Sequence, residues 1–444
     1  MDVSRRGFLA ATGAFAAGTI APGHLLAAAA KHTPPPPDLS RWSDVRALFP
    51  LRRDLAHFAG FYLVSHPRPI RDAIDAFRRA LDENPIATVD KRMGFETETD
   101  SVLLDVCRAA AKYMGAAGED IALTPNTTTG LALVYHGLPL SPGDEMLVTE
   151  HDHYVHHESV RTAALHAGAT TRRIALYDDA SQASVAEITA RIAREIRPET
   201  RVLGATWVHS STGVRLPIRA IADVVARANA QRDPTRPVWF VVDGVHGFGC
   251  VDEDAASLGC DFFSAGTHKW LFAPRGTGVL WGRSDRWPLL RPTIPSFASL
   301  PLFKAWMENE PPGPTTAAMI SPGGFLAYEH QWAMSAAFQM HERMGRARVA
   351  ARIRTLNDQL KQGLLAMRHV RVHTPKSPEL SAGIVAFEVD GMKPETIVEK
   401  LLEKRIVAST SPYRVSYARL AASLVNDERE VDAALRAVRE IAGA

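Results

Sequence analysis

Asp261-Phe262-Phe263-Ser264-Ala265-Gly266-Thr267-His268-Lys269-Trp270-Leu271 reads as a short buried strand that ends in small, polar residues and presents Lys269 at the turn. A charged lysine is unfavourable there. Desolvation and nearby positive charge lower a lysine pKa, and the resulting neutral amine is nucleophilic enough to form an imine with a carbonyl.

Upstream, Val238-Trp239-Phe240-Val241-Val242-Asp243-Gly244-Val245-His246-Gly247 is a second apolar run of strand type, and it ends in an acid. The C-terminal end of a strand is where open α/β sheets bind their ligands. An Asp there, followed one strand later by a Lys, matches the needs of a pyridoxal 5'-phosphate (PLP) site: the Asp keeps the pyridine nitrogen protonated and the Lys carries the aldehyde as a Schiff base. The plainer alternative makes Asp243 a cap for the next segment and Lys269 a solvated surface lysine, and two residues alone do not exclude it.

The chain has 444 residues, more than one domain usually holds, and its 46% hydrophobic and 23% charged content is ordinary for a globular enzyme. Fifty-one basic side chains against 49 acidic ones leave a net charge of +2, with no Lys/Arg run that would track phosphates, so nucleic acid is not an expected partner. Cys107, Cys250 and Cys260 fit no zinc spacing and read as small core residues.

Residues 1–30 stand apart. Ser4-Arg5-Arg6-Gly7-Phe8-Leu9-Ala10 carries a twin-arginine signal, an Ala/Gly-rich apolar stretch runs to about Leu26, and Ala27 to Ala30 offer a cleavage site. The stretch is too weakly hydrophobic for a membrane span. The expectation is export of a folded, cofactor-loaded protein to the periplasm by the twin-arginine machinery. Residues 31–55 follow as a spacer, stiffened by Thr33-Pro34-Pro35-Pro36-Pro37-Asp38.

Beyond the spacer, periodicity predicts helices over Ile70–Leu81, Glu98–Met114 and Ile218–Ala230, alternating with apolar strand-like runs. Ile121-Ala122-Leu123 leads through Thr124-Pro125-Asn126-Thr127-Thr128-Thr129-Gly130 to a helix expected near Leu131. Hydroxyls and free N–H groups at a helix start make an anion site suited to a phosphate. The strand Glu145–Thr149 delivers Glu150-His151-Asp152-His153-Tyr154-Val155-His156-His157; four histidines suggest zinc, but no second His/Cys cluster supports it. The preferred reading lays His151 flat on an aromatic cofactor ring, with the other histidines starting a helix. Arg201–Val208 is a further strand, ending in His209-Ser210-Ser211-Thr212-Gly213.

Such βαβ alternation predicts an α/β fold: a mostly parallel sheet with helices on both faces over residues 56–325, and its site at the strand C-termini. A long helical stretch from about Phe325 to Leu365, broken near Gly345, then leads into a smaller α+β C-terminal domain, the two together spanning 326–444. There Arg414 and Arg419 lie beside a strand expected over Tyr413–Ala418.

Asp243-Gly244-Val245-His246 and Ser264-Ala265-Gly266-Thr267-His268-Lys269 resemble the signature of the class V aminotransferase family of fold-type I PLP-dependent enzymes, and the resemblance runs from about His57 to the C-terminus. It implies the PLP-dependent transferase fold, with Lys269 as Schiff-base lysine and proton shuttle, Asp243 on the pyridine nitrogen and His151 stacked on the ring. Thr127 and Thr128 would meet the phosphate, His246 the ring hydroxyl side, and Arg419 the carboxylate of an amino-acid-type substrate, with Arg414 as its competitor. Two positions depart from the cysteine desulfurase branch: Gly266 leaves a phosphate contact to Thr267 or Ser264, beside His268, and Ser211 or Thr212 stands where an Asn is usual. That branch also needs a thiolate on a C-terminal loop, and no cysteine follows Cys260.

The chain resembles the isopenicillin N epimerase-like subgroup, which includes epimerases, aminotransferases and C–S lyases, and is also similar to an exported relative that matures the side chain of the siderophore pyoverdine. The resemblance further implies a homodimer, with Ser321-Pro322-Gly323-Gly324 reaching the partner's phosphate pocket. The alternatives are a PLP-dependent C–S lyase and, on the histidine cluster alone, a periplasmic metal-binding protein.

Overall fold

Alternation of side chains along each strand sorts the apolar residues onto two opposite faces, and both faces are covered. Phe240, Val242 and Phe263 belong to one core cluster, while their neighbours Trp239, Val241 and Phe262 belong to another. A sheet buried on both sides needs near-continuous apolar runs, which is what the sequence supplies. The computed structural model describes residues 37–92 and 101–443. The twin-arginine signal lies outside the described residues, as does the expected helix start at Glu98.

The central sheet contains β1 (Ile121–Thr124), β2 (Glu145–Thr149), β3 (Thr170–Ile174), β4 (Thr200–Thr206), β5 (Trp239–Asp243), β6 (Phe262–Gly266) and β7 (Gly278–Gly282), in the order β1-β7-β6-β5-β4-β2-β3. Only β7 runs antiparallel to its neighbours β1 and β6; the pairs β6/β5, β5/β4, β4/β2 and β2/β3 are parallel. The mostly parallel sheet expected from the βαβ alternation is therefore present. Helices cover it, among them Val102–Met114, Thr127–Gly137, Tyr154–Ala167 and Ile218–Asn229.

Several boundaries move, for identifiable reasons. The helix expected near Leu131 begins at Thr127, because Asn126 caps it: its Oδ1 accepts from Thr129 N at 2.9 Å. The threonines thus form the first turn rather than a loop. The stretch from Phe325 to Leu365 is three helices, Tyr328–Trp332, Met334–Met344 and Arg346–Leu365, and the expected break falls at Gly345, whose φ of +83° favours glycine. The Pro-rich loop before it contains a helix, Leu300–Glu308, capped by Ser299.

The second sheet is antiparallel, with β8 (Val370–Val372), β9 (Val385–Val389), β10 (Ser409–Thr410) and β11 (Ala418–Leu420) in the order β10-β11-β9-β8. The strand expected over Tyr413–Ala418 is displaced to β11, which places Arg419 at its centre. Leu356, Leu360 and Leu364 of the Arg346–Leu365 helix pack on this sheet with Val385, Phe387, Val431 and Val438. From Leu39 onward the chain forms one compact unit.

Candidate active site

Five strands of the central sheet end at one cavity of about 300 Å³, lined by residues that follow their C-termini. Asn126, Thr127 and Thr128 come after β1, His153 and Tyr154 after β2, Thr206 and Ser210 from the end of β4 and the turn beyond, Asp243 and His246 from β5, and His268 and Lys269 after β6. Arg419 reaches the same cavity from β11, and Phe61 and Tyr62 close another side.

Lys269 sits in a turn set by backbone bonds, Phe272 N donating to Lys269 O at 3.1 Å and Ala273 N to Thr267 O at 3.1 Å. Phe272 adopts a left-handed φ of +58°, uncommon for a residue with a Cβ, and is held there by its edge-on packing against Phe49 at 5.0 Å. Burial lowers the Lys269 amine to about 8, against an opposing pull from Asp243 and with added help from Arg419. The amine is thus mostly protonated at neutral pH but supplies a nucleophilic neutral minority far larger than an ordinary lysine would. Lys269 Nζ lies 3.2 Å from His246 Nε2, and the other ring nitrogen of His246 is buried with no partner.

Asp243 is 2% exposed, and one carboxylate oxygen accepts from Val245 N at 3.1 Å. Burial raises its pKa, opposed first by His156 and then by the Val245 N–H and Lys269. Gly244 follows because a Cβ there would strike the Phe263 ring. At the other end of the cavity, Gly266 N donates to Thr127 Oγ1 at 2.7 Å, and a Cβ on Gly266 would come within 2.8 Å of His268 Cε1 and 3.3 Å of that hydroxyl. Gly266 therefore keeps the space beside the helix N-terminus open.

Arg419 is 3% exposed, with Nη1 donating to Ser210 O at 2.5 Å and Nη2 to Thr410 O at 2.6 Å. Its guanidinium lies 4.8 Å from the Phe61 ring centroid, and Nε is buried with no partner. Burial pulls it down to about 10, so it remains charged at neutral pH. Ser210 in turn meets Tyr413 Oη at 2.7 Å.

Four sequence expectations change. His151 is absent from the cavity; its ring stacks on Tyr177 at 4.1 Å, and its Nε2 accepts from Leu176 N at 3.1 Å. His153 takes that place in the cavity, and burial together with Lys269 and Arg419 lowers it to about 4, so it is neutral at physiological pH. Thr267 turns away to Thr277, with the two hydroxyls 2.6 Å apart. Ser211 is buried outside the cavity while Ser210 lines it, and Arg414 is exposed and does not reach it. The remaining expected residues, Thr127, Thr128, Asp243, His246, His268, Lys269 and Arg419, all line it.

The histidine cluster resolves into separate duties. His156 Nε2 meets Tyr135 Oη at 2.6 Å and His157 Nε2 meets Thr149 O at 2.8 Å. Among the described residues no His/Cys/Asp/Glu group is arranged to hold a metal.

Asn126, His153, Thr206, Ser210, Phe61 and Tyr413 were not singled out as site residues from sequence. Asn126 carried a signal, since Asn before a helical run is a typical cap. His153 carried none that separated it from its three neighbours.

The residues fit PLP: an acid and an amine share one cavity, a helix N-terminus with hydroxyls lies at its edge, and His246 Nδ1 and Arg419 Nε are buried without partners. The family described as aminotransferase class-V matches residues 67–433. Isopenicillin N epimerase of Streptomyces clavuligerus is 28% identical over 391 residues, 85% of this chain and 92% of that protein. A probable cysteine desulfurase of Pyrococcus abyssi is 22% identical, over 82% of this chain and 86% of its own. Among solved structures, C-DES is 26% identical in two forms. One has glycine covalently linked to its PLP cofactor, with a TM-score of 0.77 over 88% of this chain and 98% of that one. The other, described as the cystine C-S lyase with its reaction product cysteine persulfide, has a TM-score of 0.75 over 86% of this chain and 97% of that one.

The exchange of roles between two histidines gives a direct test. His153→Ala should weaken retention of PLP by roughly tenfold, the scale of one lost aromatic contact, while His151→Ala should leave PLP affinity within about twofold and lower the thermal midpoint through loss of the Tyr177 stack. Equilibrium dialysis and thermal melts of both variants decide it, and the reverse pattern would return His151 to the ring.

Proposed function

The chain belongs to the class V aminotransferase family and is a PLP-dependent enzyme, and from that premise we propose that it acts at the Cα of an amino acid or amino-acid-derived substrate, including siderophore-like or peptide-like ones. The observation that carries this reading is the convergence of Lys269, Asp243 and a buried Arg419 on one cavity. Bound at Lys269, PLP supplies an electron sink for the pair of electrons left on Cα when one of its bonds breaks.

The protein's own residues supply the rest. Lys269, with its amine lowered to about 8, would hold the cofactor and could take and return a proton at its Nζ. Asp243, buried at the end of β5, would hold the pyridine nitrogen, where a carboxylate would favour the protonated ring. Thr127, Thr128 and the N–H groups of the helix start hold the phosphate. His153, neutral at physiological pH, would cover a face of the ring without adding charge. Arg419 receives the substrate carboxylate; its guanidinium is planar and fixed by two backbone carbonyls, so little side-chain freedom is lost on binding.

Transamination, epimerisation and decarboxylative modification share this machinery and differ in which bond at Cα is aligned with the ring's π system. Similarity to isopenicillin N epimerase supports proton removal and return at Cα. A second reading, C–S elimination, is supported by the likeness to C-DES. Sulfur transfer to an enzyme thiol is disfavoured, because no cysteine lines the cavity and burial pushes the thiols of Cys107 and Cys250 up to about 12 and that of Cys260 higher still.

We also propose periplasmic localisation through the twin-arginine machinery, and a homodimer. The dimer reading is supported by exposed Phe297, Phe303, Trp306 and Phe325 near an apolar groove of about 410 Å³ that Ser321–Gly324 help to line. Sedimentation of the loaded protein as a single chain would contradict the dimer.

Incubation of the loaded enzyme with amino acids and amino-terminated peptides in D2O should exchange the Cα hydrogen of the true substrate and change the cofactor spectrum. Arg419→Ala should raise KM for that substrate by roughly 10²-fold, as expected for one lost bidentate ionic contact, with PLP still bound. Unchanged KM would remove Arg419 from the carboxylate site. Release of sulfide or persulfide from sulfur amino acids without Cα exchange in any other substrate would favour C–S elimination.

Changing Arg5 and Arg6 together to Lys should leave precursor in the cytoplasm with PLP bound, because twin-arginine export distinguishes the pair from lysines of equal charge. Undiminished mature protein in the periplasm would point to a general secretory route.

A further inference from the structure

The active-site cavity has an inner end and a mouth, and the two differ in character. Phe61 and Asp243 are each 2% exposed and Arg419 3%, whereas Tyr62 is 73% exposed and Tyr154 64%, yet all five line the same space. A side chain that borders a cavity and also faces solvent stands at its opening. Tyr62 follows Phe61 in a turn closed by Tyr62 N donating to Ala59 O at 3.0 Å. Phe61 is the buried member of that turn, its ring 4.8 Å from the Arg419 guanidinium and 5.6 Å from the His246 ring, and Tyr62 is left at the rim. Tyr154 is the first residue of the helix Tyr154–Ala167, and its ring lies 4.7 Å from that of His153, the residue that caps the helix. Exposed Pro412 adds a further apolar edge.

Charge inside the cavity is already committed. Among the described residues its lining holds two cationic side chains, Lys269 and Arg419, and one acid, Asp243. Lys269 is assigned to the cofactor and Asp243 to the ring nitrogen, so Arg419 alone remains for a substrate carboxylate. The three histidines of the lining do not change that count. Burial, with Lys269 and Arg419, lowers His153 to about 4 and His246 well below the ordinary value, and burial lowers His268 as well. A second carboxylate on the substrate would leave water with no cation to meet it, and a side-chain ammonium would find no free acid; either is costly.

An uncharged side chain meets no such penalty, and the rim offers it ring surface. Tyrosine suits an open site because its large amphipathic ring has only two torsions to fix, so contact area comes at a small entropic cost. A single exposed aromatic residue is ordinary on any surface. Here two of them flank one opening, and the reacting groups lie on its floor.

We propose that Tyr62 and Tyr154 are specificity-determining residues, forming a rim that holds an uncharged aromatic side chain of an amino-acid substrate whose single carboxylate is taken by Arg419. The proposal deepens the functional reading and rests on it, with chemistry at Cα and Arg419 as the carboxylate site.

The test uses PLP-loaded enzyme and two kinds of probe. Phenylalanine, tyrosine and tryptophan should exchange their Cα hydrogen in D2O with kcat/KM roughly tenfold or more above glutamate and lysine. Tyr62→Ala and Tyr154→Ala should each raise KM for the aromatic substrates roughly tenfold, the scale of one lost aromatic contact, and change it less for alanine, whose methyl group offers no ring to hold. Tyr62→Phe and Tyr154→Phe should keep most of the wild-type affinity, since the ring and not the hydroxyl is what the rim supplies. Phenylpropionate and glutarate, which lack the amino group and undergo no chemistry at Cα, report on the rim separately: calorimetry should show phenylpropionate binding roughly tenfold more tightly. That preference, without Cα exchange from any amino acid, would uphold the rim and remove the Cα reading. Fastest exchange from acidic amino acids, with glutarate the tighter ligand, would overturn the rim and leave the Cα reading intact. Alanine variants that alter sedimentation but not KM would place the two tyrosines in a contact between subunits and overturn the proposal as well.

Discussion

Everything at this site follows from desolvating charge at the open edge of a parallel sheet. Lys269, Asp243 and Arg419 are withdrawn from water together: burial lowers the lysine and the arginine and raises the aspartate, the lysine and aspartate each oppose the effect of burial on the other, and Arg419 adds to the lowering of the lysine. A buried charge without partners is so unfavourable that such a cluster persists only where backbone and ligand satisfy it. Here the backbone supplies part of the answer, through Val245 N–H to Asp243 and the Ser210 and Thr410 carbonyls to Arg419. His246 Nδ1 and Arg419 Nε are buried and left without a partner by that backbone.

The same constraint explains the packing around the cavity. Ends of five strands must approach closely enough for their following residues to meet, and small residues allow it: a Cβ on Gly130 would collide with Ser264 Oγ, and one on Gly247 with the Trp207 ring. Arg419 comes from the other sheet, so a productive site requires β11 to remain docked over the Ser210 turn. The contacts of Arg419 with Ser210 and of Ser210 with Tyr413 tie the two segments together there.

How much of this was legible in the sequence depends on the range of the interaction. The strands before Asp243 and Lys269 were readable because a sheet buried on both faces demands continuous apolar runs, and the acid and lysine stand at fixed offsets from those runs. The edge strand β3, Thr170–Ile174, was not singled out, since its exposed, polar pattern lacks that demand. The choice among His151, His153, His156 and His157 was illegible: all four lie within seven residues, and their fates depend on Tyr177, Tyr135 and the cavity, all set by tertiary packing. Thr267 and Ser211 failed for a related reason. Each sits beside a residue that does line the cavity, and a one-residue change of direction at a strand end reverses which side chain points inward. Arg419 was separable from Arg414 only once the strand was placed at Ala418–Leu420 rather than Tyr413–Ala418.

The central claim is that Lys269 is the one amine that carries the cofactor. Borohydride reduction of PLP-loaded protein, followed by mass analysis of its peptides, tests it most directly in wild type and Lys269→Ala. The account predicts a phosphopyridoxyl adduct on the Lys269 peptide in wild type, and no adduct or visible imine band in the variant. A reducible adduct that persists in Lys269→Ala would contradict it.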